Sequence, residues 1–566
     1  MIFTRPSMPA ACICDTVDGP HREEGMITNS EKCRRSGSCI IGWLALLMMH
    51  SMFLPSRHAS AQPGQDGEKL QYHIIRTDSS GRIVPWFSDD PGLSYDHVIR
   101  LVWNFWKNME TDSNGMKYYM NHQVWKPEHD MRGLGGDQFN MALSSWRLLY
   151  AYTGDPSVIQ NMRTIADEYL ARSLSGPDDA WPDMPYPYNN KIHSGKYTGD
   201  MVIGEGFTKP DKAGAFGSEL VNLYKMTGEQ RYLDAAVRIA NSLAAHTKPG
   251  DNGHSPLPFK VNAKTGEPGY LKNWQDGTVQ ASVYTSNWTG VLDLFESLST
   301  LGEGDAKAYI GAFNLILDWM IAVPLATNKW GPFFEDIPGW SDTQTNAVTF
   351  AAYILEHPER FRDYRSAARS ALDWAWRELG NHDYEKVGVI VMNEQTAYRV
   401  PGNSHTSRQA AVELLYCEKT GDISTRENAL RCLNWATYMV DTDGKNRYMR
   451  DDIWLTDGYG DYVRHYIRAM ASAPWLAPCD ADHLLRTSSV VTNIEYGASL
   501  VSYTLFDSGS LDVLRMTAKP KRVLANGRLL KELRALDREG WTWQDLEKGG
   551  VLCIRQDQGR KVVIEK

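Results

Sequence analysis

Apolar side chains recur at helical spacing through most of the chain, in segments that come in pairs. A polar, glycine-rich loop, Gly135–Asn140, leads into one such segment, which ends at the turn Thr153-Gly154-Asp155. A second helical segment follows directly from Pro156. Glycine suits the position just past a helix C-terminus, and an acid favours the start of the next helix. This unit of loop, helix, tight turn and helix recurs along the chain.

The recurrence predicts a mainly α fold, an (α/α)6 toroid. We call a helix that follows a long loop an inner helix, and we expect the six to start near Asp137, Gly214, Trp288, Asp342, His405 and Asp457. The outer helices are expected at about 95–109, 156–173, 230–246, 305–322, 360–379 and 424–440. Because the leading loops are long and the turns short, all inner helices should point their N-termini to one face.

The pattern changes after Pro478. Short runs such as 490–494, 499–505 and 550–555 are β-rich or alternate in polarity, and Asn526-Gly527 is typical of a hairpin turn. We therefore expect a toroidal catalytic domain over residues 62–480 and a small antiparallel, sandwich-like β domain over residues 485–566. Packing against the toroid and binding of carbohydrate are both open as roles for the β domain.

The first 61 residues predict a leader that ends in a secretory signal peptide. Arg34-Arg35 precedes an apolar run, Cys39–Leu54, and Ala59-Ser60-Ala61 fits a small-x-small cleavage site. The apolar run is too short and irregular for a comfortable membrane span. We expect cleavage near Ala61, a periplasmic or secreted bacterial protein, and no membrane span after cleavage.

Composition excludes some classes of function. The net charge of -9 and the lack of a long basic run give no indication of a nucleic-acid partner. No nucleotide fingerprint, His-Glu-x-x-His or Cys-x-x-Cys pair indicates a cofactor or a metal in the mature chain. Cys417 and Cys432 lie on the two arms of one predicted helix hairpin, where either a disulfide or two buried thiols would fit.

Candidate acids lie in the leading loops. Asp137 fits either a helix cap or a catalytic carboxylate. The loop Trp330–Asp342 holds three carboxylates among aromatic residues, Glu335, Asp336 and Asp342, of which the last could also cap its helix. Aromatic surroundings desolvate a carboxyl group and raise its pKa, which suits a general acid.

Candidate substrate-binding residues accompany these acids. Arg399 and Arg408 could hold a uronic-acid carboxylate through their guanidinium forks, and His405 and Tyr459 could move protons. Further binding candidates in the leading loops are Trp181, Tyr284, Trp288, Trp340 and Glu394. Exposed aromatic rings stack on sugars, although most of the 19 tryptophans are expected in the core.

The segment Gly135–Ala142 and the loop around Asn403-Ser404-His405 resemble glycoside hydrolase family 154, a family of β-glucuronidases. The resemblance implies hydrolysis of terminal glucuronic acid from an oligosaccharide derived from plant, algal or host polysaccharide. Glu335 or Asp336 would be the acid and Asp137 or Asp342 its partner. Two alternatives stay open. One is uronate-specific β-elimination, as in a polysaccharide lyase or oligosaccharide dehydratase, with His405 and Tyr459 carrying protons. The other is glycan binding without catalysis.

Overall fold

A computed structural model describes residues 68–120, 136, 139–190, 194–199, 203–272, 277–334, 339–446 and 461–566. These residues all belong to one compact unit, Asp66–Lys566. The predicted leader and its cleavage site lie outside the described residues.

Twelve α-helices occupy the described part of the chain. They are α1 Pro91–Asn108, α2 Phe139–Thr153, α3 Pro156–Ser173, α4 Pro210–Thr227, α5 Gln230–His246, α6 Thr289–Leu301, α7 Ala306–Met320, α8 Gln344–Glu356, α9 Tyr364–Leu379, α10 Asn403–Thr420, α11 Arg426–Thr437 and α12 Tyr462–Ser472. The mainly α prediction is confirmed. Two helices start earlier than predicted, at Pro91 and Pro210, because proline fits a first helical turn and the polar residues beside it hide the apolar periodicity.

The even-numbered helices form a closed inner ring. Each of α2, α4, α6, α8 and α10 contacts the next even-numbered helix, and α12 contacts α2. An outer helix packs on each inner one, and α1 completes the outer layer beside α11 and α12. This arrangement is a toroid of six helix hairpins, and the N-terminal ends of the inner helices lie at one face, which we call the mouth.

The tight turns between helices have the geometry that their sequences indicate. Gly154 and Gly421 follow α2 and α10 with φ of 70° and 80°, where a side chain would be strained. Asp155 then caps α3 by accepting a hydrogen bond of 2.9 Å from the Ser157 amide. Each of these turns therefore reverses the direction of the chain within a few residues, so that an outer helix follows directly on an inner one.

Two antiparallel sheets follow the helices. Their strands are β9 His483–Thr487, β10 Val491–Tyr496, β11 Leu500–Leu505, β12 Ser510–Met516, β13 Arg522–Ala525, β14 Arg528–Leu529, β15 Gly540–Asp545, β16 Gly550–Gln556 and β17 Lys561–Glu565. The strand orders are β10-β11-β17-β13-β14 and β15-β16-β12-β9. Eight short strands precede them, in four pairs: β1 Lys69–Leu70, β2 His73–Ile74, β3 Phe207–Thr208, β4 Val261–Asn262, β5 Tyr270–Lys272, β6 Val279–Ala281, β7 Gly380–Asn381 and β8 Val391–Met392.

Strands β9 and β10 lie against the C-terminal ends of the inner helices. The His483 ring stacks on the Tyr152 ring at 3.9 Å and an angle of 7°. The hydroxyl group of Tyr496 donates to the Ala151 carbonyl oxygen at 2.5 Å. These contacts join the sheets to the end of α2, opposite the mouth.

Both thiols of the α10–α11 hairpin are free. Cys417 and Cys432 are buried and form no disulfide. Of the two alternatives open from the sequence, buried free thiols are the one observed.

One helical stretch of the described residues, Ala306–Leu325, is long and apolar enough by length and composition to cross a membrane. Within it, 44% of the apolar window is buried inside the protein. The stretch comprises α7 and its continuation, and α7 packs against α5 and α6 as part of the outer layer.

A buried carboxylate fastens α10 to the outer layer. Glu413 has no exposed surface and accepts two hydrogen bonds of 2.8 Å from Arg369 on α9. Trp376 and Thr425 donate to it at 2.7 Å, and Gln409 donates at 3.1 Å. A buried charge needs this degree of pairing, because its desolvation otherwise costs more than the pair returns.

We expect Glu413→Ala to lower the free energy of unfolding by about 3–5 kcal/mol, because it leaves the Arg369 charge without its partner. Glu427→Gln is the control, since Glu427 is exposed and its ion pair with Arg431 should contribute less than about 1 kcal/mol. Urea denaturation measures both. Equal losses in the two variants would show that Glu413 does not anchor the ring.

Candidate functional site

The inner ring encloses an axial cavity of about 490 Å³. All six inner helices line it, and residues 484–487 and 489–491 of the β9–β10 region line its end opposite the mouth. Near the mouth its wall includes Asn287, Thr345, Arg408 and His465. The size is in the range of small-molecule pockets.

The first turns of α10 form a buried polar wall beside this cavity. Every residue from Asn403 to Gln409 is at most 4% exposed. Buried polar groups need partners, and Arg408 finds two on α8. Its Nη1 donates to Gln344 Oε1 and to Thr345 Oγ1, both at 2.9 Å. The guanidinium group is thereby held in one orientation between α8 and α10.

Asp461, immediately before α12, gathers the charges of this wall. Its carboxylate is fully buried and forms ion pairs with Arg408 and Arg464. Ser404 Oγ also donates to it at 2.7 Å. Burial alone would raise the pKa of Asp461, but the two guanidinium groups hold it well below its usual range. Two positive groups around one carboxylate leave this cluster with a net charge of about +1.

Two neutral histidines adjoin the cluster. Burial lowers the pKa of His465 to about 3, and burial together with Arg408 lowers the pKa of His405 well below its usual value. His465 Nε2 lies 2.9 Å from Asp461 Oδ2. Because the ionised carboxylate can only accept, Nε2 carries the proton and Nδ1 keeps its lone pair. Among the described residues, neither ring nitrogen of His405 has a partner. Both imidazoles are therefore neutral in the folded protein, and each keeps an unprotonated ring nitrogen.

Two buried lysines lie at the start of α4. Lys212 Nζ is 3.4 Å from Asp211 Oδ2, and Asn287 Nδ2 donates to the same oxygen at 2.8 Å. Lys209 Nζ donates to the Phe333 carbonyl oxygen at 3.1 Å. Lys209 also fixes the loop segment that precedes Glu335.

The cluster of Arg408, Asp461 and Arg464 is positive although the whole chain has a net charge of -9. The N-termini of the inner helices add partial positive charge on the same face. The arrangement can hold an anionic group beside neutral imidazoles.

Several predicted site residues lie outside the described residues: Asp137, Glu335, Asp336 and Tyr459. Asp342 is described and half-buried. It accepts from the Gly331 amide at 2.7 Å and from Trp340 Nε1 at 3.0 Å, which ties the two ends of its loop together. The residue that caps α8 is Thr343, so the capping alternative for Asp342 is not what the structure shows.

The two arginines predicted to bind a uronate, Arg399 and Arg408, lie in different parts of the protein. Arg408 lines the cavity, with His405 one helical turn away on α10. Arg399 is exposed and donates to the Glu378 carbonyl oxygen at 2.7 Å, beside the end of outer helix α9. Glu394 is buried and accepts from Gln395 at 2.7 Å. Neither Arg399 nor Glu394 lines the cavity. Arg399 and Arg408 are therefore not placed to hold one uronate together, as the sequence had led us to expect.

Three of the aromatic residues predicted to bind sugar are core residues. Trp181 stacks on His246 at 4.0 Å, and Trp288 has no exposed surface. Tyr284 is 3% exposed, and its hydroxyl group donates to the Lys329 carbonyl oxygen at 2.6 Å. Their rings pack against protein and offer no face to a sugar. Trp340 is half-buried, with its ring 5.1 Å from that of Tyr284.

Sequence reasoning missed the α12 side of the site. Asp461, Arg464, His465 and Arg468 follow one another at helical spacing, and the last three line the cavity. Their spacing places them on one face of α12, a polar stripe on a helix whose other faces are apolar. This polar stripe is the feature of the sequence that could have indicated the α12 side of the site.

Comparison with known proteins shows the fold. No family model matches the chain, and no curated protein matches it. The solved structure of a sugar epimerase from a ruminal bacterium is similar over 68% of this chain and 98% of that chain, with a TM-score of 0.50 and 13% identity. Cellobiose 2-epimerase from Spirochaeta thermophila DSM 6192 covers 68% of this chain and 96% of its own, with a TM-score of 0.49 and 12% identity. An unsaturated glucuronyl hydrolase specific for heparin covers 69% of this chain and 100% of its own, with a TM-score of 0.40 and 10% identity.

The buried histidines predict a loss of stability in mild acid. Their lowered pKa values mean that the unfolded chain takes up protons below about pH 6.5 that the folded protein does not. Above that pH the two histidines make their full contribution to the free energy of unfolding. Below it, each histidine should lower the free energy of unfolding by about 1.4 kcal/mol per pH unit.

His405→Gln and His465→Gln should each flatten this slope, measured by urea denaturation between about pH 5 and pH 6.5. The unsubstituted protein, measured over the same pH range, provides the reference slope. Slopes in His405→Gln and His465→Gln equal to that of the unsubstituted protein would contradict the prediction.

Proposed function

We propose that the protein is a carbohydrate-active enzyme that releases terminal glucuronic acid from oligosaccharides by hydrolysis. The observation that supports a uronate substrate is the positive cluster of Arg408, Asp461 and Arg464 on the wall of the axial cavity. A sugar carboxylate there would meet guanidinium groups and helix N-termini in a largely desolvated site. The similarity of the fold to a sugar epimerase supports a carbohydrate as the substrate, without indicating which sugar.

Hydrolysis needs two carboxyl groups, one on each side of the scissile bond. We assign the acid role to Glu335 or Asp336. Phe334, the described residue before them, has its ring 6.3 Å from that of His405, so this loop reaches the mouth beside α10. For the partner we favour Asp137, because both oxygens of Asp342 already accept hydrogen bonds within its own loop.

A second candidate reaction is β-elimination at a uronate. The ring nitrogens of His405, which have no partner among the described residues and lie one helical turn from Arg408, favour it, since a base must remove the proton next to the sugar carboxylate while a cation neutralises that carboxylate. Arg408 would supply the cation, and Tyr459 would protonate the departing oxygen as the bond to it breaks and a double bond forms.

Incubation with a glucuronate-ended oligosaccharide separates the reactions. Hydrolysis should release glucuronate without a new ultraviolet absorbance, whereas elimination should give an unsaturated, absorbing product. A matched oligosaccharide that ends in glucose should not be cleaved. An absorbing product would overturn hydrolysis in favour of elimination, and binding without turnover would overturn both.

The positive cluster is tested by Arg408→Lys. Lysine keeps the charge but loses the fork, and we expect kcat/KM on the glucuronate substrate to fall by about 100-fold or more. Arg399→Lys is the matched control, because Arg399 is exposed and lies off the cavity; its kcat/KM should stay within about twofold of the original. Thermal unfolding of both variants confirms that they fold. An Arg408→Lys enzyme with full activity would remove the cluster from the proposed mechanism.

A further inference from the structure

Asn287, just before α6, has a side-chain amide whose orientation is fixed by its partner. Its Nδ2 donates to Asp211 Oδ2 at 2.8 Å, and Asp211 has no exposed surface. Because Asp211 is also the ion-pair partner of Lys212, its carboxylate can only accept, and the NH2 end of the amide has to face it. The carbonyl oxygen, Oδ1, is therefore the end of the amide left for the cavity, whose wall Asn287 lines.

The backbone that carries this amide is held by the loop before α8. Thr285 Oγ1 donates to the Pro332 carbonyl oxygen at 2.7 Å and accepts from the backbone amide of Asn287 at 3.3 Å. Ser286 Oγ donates to the Trp330 carbonyl oxygen at 2.6 Å. Among the described residues, no donor reaches Oδ1 of Asn287. A rigidly placed acceptor is thus left open on the cavity wall.

The next part of the wall offers donors instead. Thr345 on α8 accepts from Arg408 Nη1 at 2.9 Å, so the proton of its hydroxyl group is left for another acceptor. Arg408 on α10 is the group that the proposed function places on the uronate. Since α6 contacts α8 and α8 contacts α10, the wall passes from an acceptor to donors and then to a positive charge. A uronic acid matches this order, because its ring carries hydroxyl groups across from its carboxylate.

We propose that Asn287 is a specificity-determining residue, whose Oδ1 accepts a hydrogen bond from a ring hydroxyl group of the terminal uronate while Arg408 holds its carboxylate. A carbonyl oxygen can only accept, so a substituent without a proton to donate fails at this position. This inference rests on the proposed function, which supplies the uronate and its contact with Arg408. It adds the group that recognises the rest of the sugar ring.

Deoxy and deoxyfluoro sugars provide the discriminating probes. The parent ligand is an S-linked glucuronyl–glucose disaccharide, which resists hydrolysis. Each of the C2, C3 and C4 hydroxyl groups of its uronate is replaced in turn by hydrogen or by fluorine. Fluorine cannot donate, so at the position that contacts Asn287 both replacements should weaken binding by about tenfold, as measured by calorimetry.

Asn287→Ala makes the test specific. It removes the acceptor, so the tenfold differences at that one position should shrink to about twofold or less, while the effects at the other positions stay. Asn222→Ala is the matched control and should keep every difference. Asn222 also lines the cavity and also donates to a carboxylate, Glu219 Oε2 at 3.3 Å, but it lies in the second half of α4, away from the mouth. Thermal unfolding checks that both variants fold.

Replacement effects that are the same in Asn287→Ala and in the unsubstituted protein at every position would overturn the role of Asn287. So would a fluorinated sugar that binds as tightly as the parent at the position that Asn287→Ala changes. Failure of the parent disaccharide to bind would overturn both this inference and the uronate substrate.

The result is separable from the fate of the proposed function. Release of glucuronate without any coupling between Asn287 and a hydroxyl group would defeat this inference alone. Coupling without turnover of any uronate substrate would defeat the enzymatic proposal and leave the recognition by Asn287 in place.

Discussion

The ion pairs of Asp461 are the interaction on which the mouth depends. A carboxylate with no exposed surface is costly to bury unless positive groups surround it, and here two arginines do so from different helices. Arg408 continues the chain of contacts to α8 through Gln344 and Thr345. One buried carboxylate therefore joins α12, α10 and α8 and fixes the guanidinium groups and the histidine that line the cavity. The carboxylate of Asp461 therefore contributes both to closing the ring and to positioning the site.

Much of the fold could be predicted because its turns are local. The Thr-Gly-Asp sequences at Gly154 and Gly421 mark where one helix ends and the next begins. They can be recognised without information about the rest of the chain. Burial in the core of the ring could not be predicted as well. Trp181 lies in the loop between α3 and α4, and Trp288 directly precedes α6; at such positions sequence alone does not separate a ring that stacks on sugar from one that stacks on protein.

The site was harder to predict than the fold for a geometric reason. Helical periodicity indicates which face of a helix is polar, but an inner helix of a toroid has protein on several sides and a cavity on one. The polar stripe of Arg464, His465 and Arg468 on α12 has the same spacing as a solvent-exposed face. Only the closed ring shows that this stripe faces inward. Arg408 was predicted to bind substrate, and it does line the cavity. Arg399 was predicted to do the same, but its loop places it outside the cavity, against outer helix α9.

The sheets give the cavity a second kind of wall. Strands β9 and β10 lie against the C-terminal ends of inner helices and line the end of the cavity opposite the mouth, held by the stacking of His483 on Tyr152. The helices alone therefore do not determine the shape of the cavity: the C-terminal strands contribute to it as well, and a change in their sequence would alter the cavity without altering the ring.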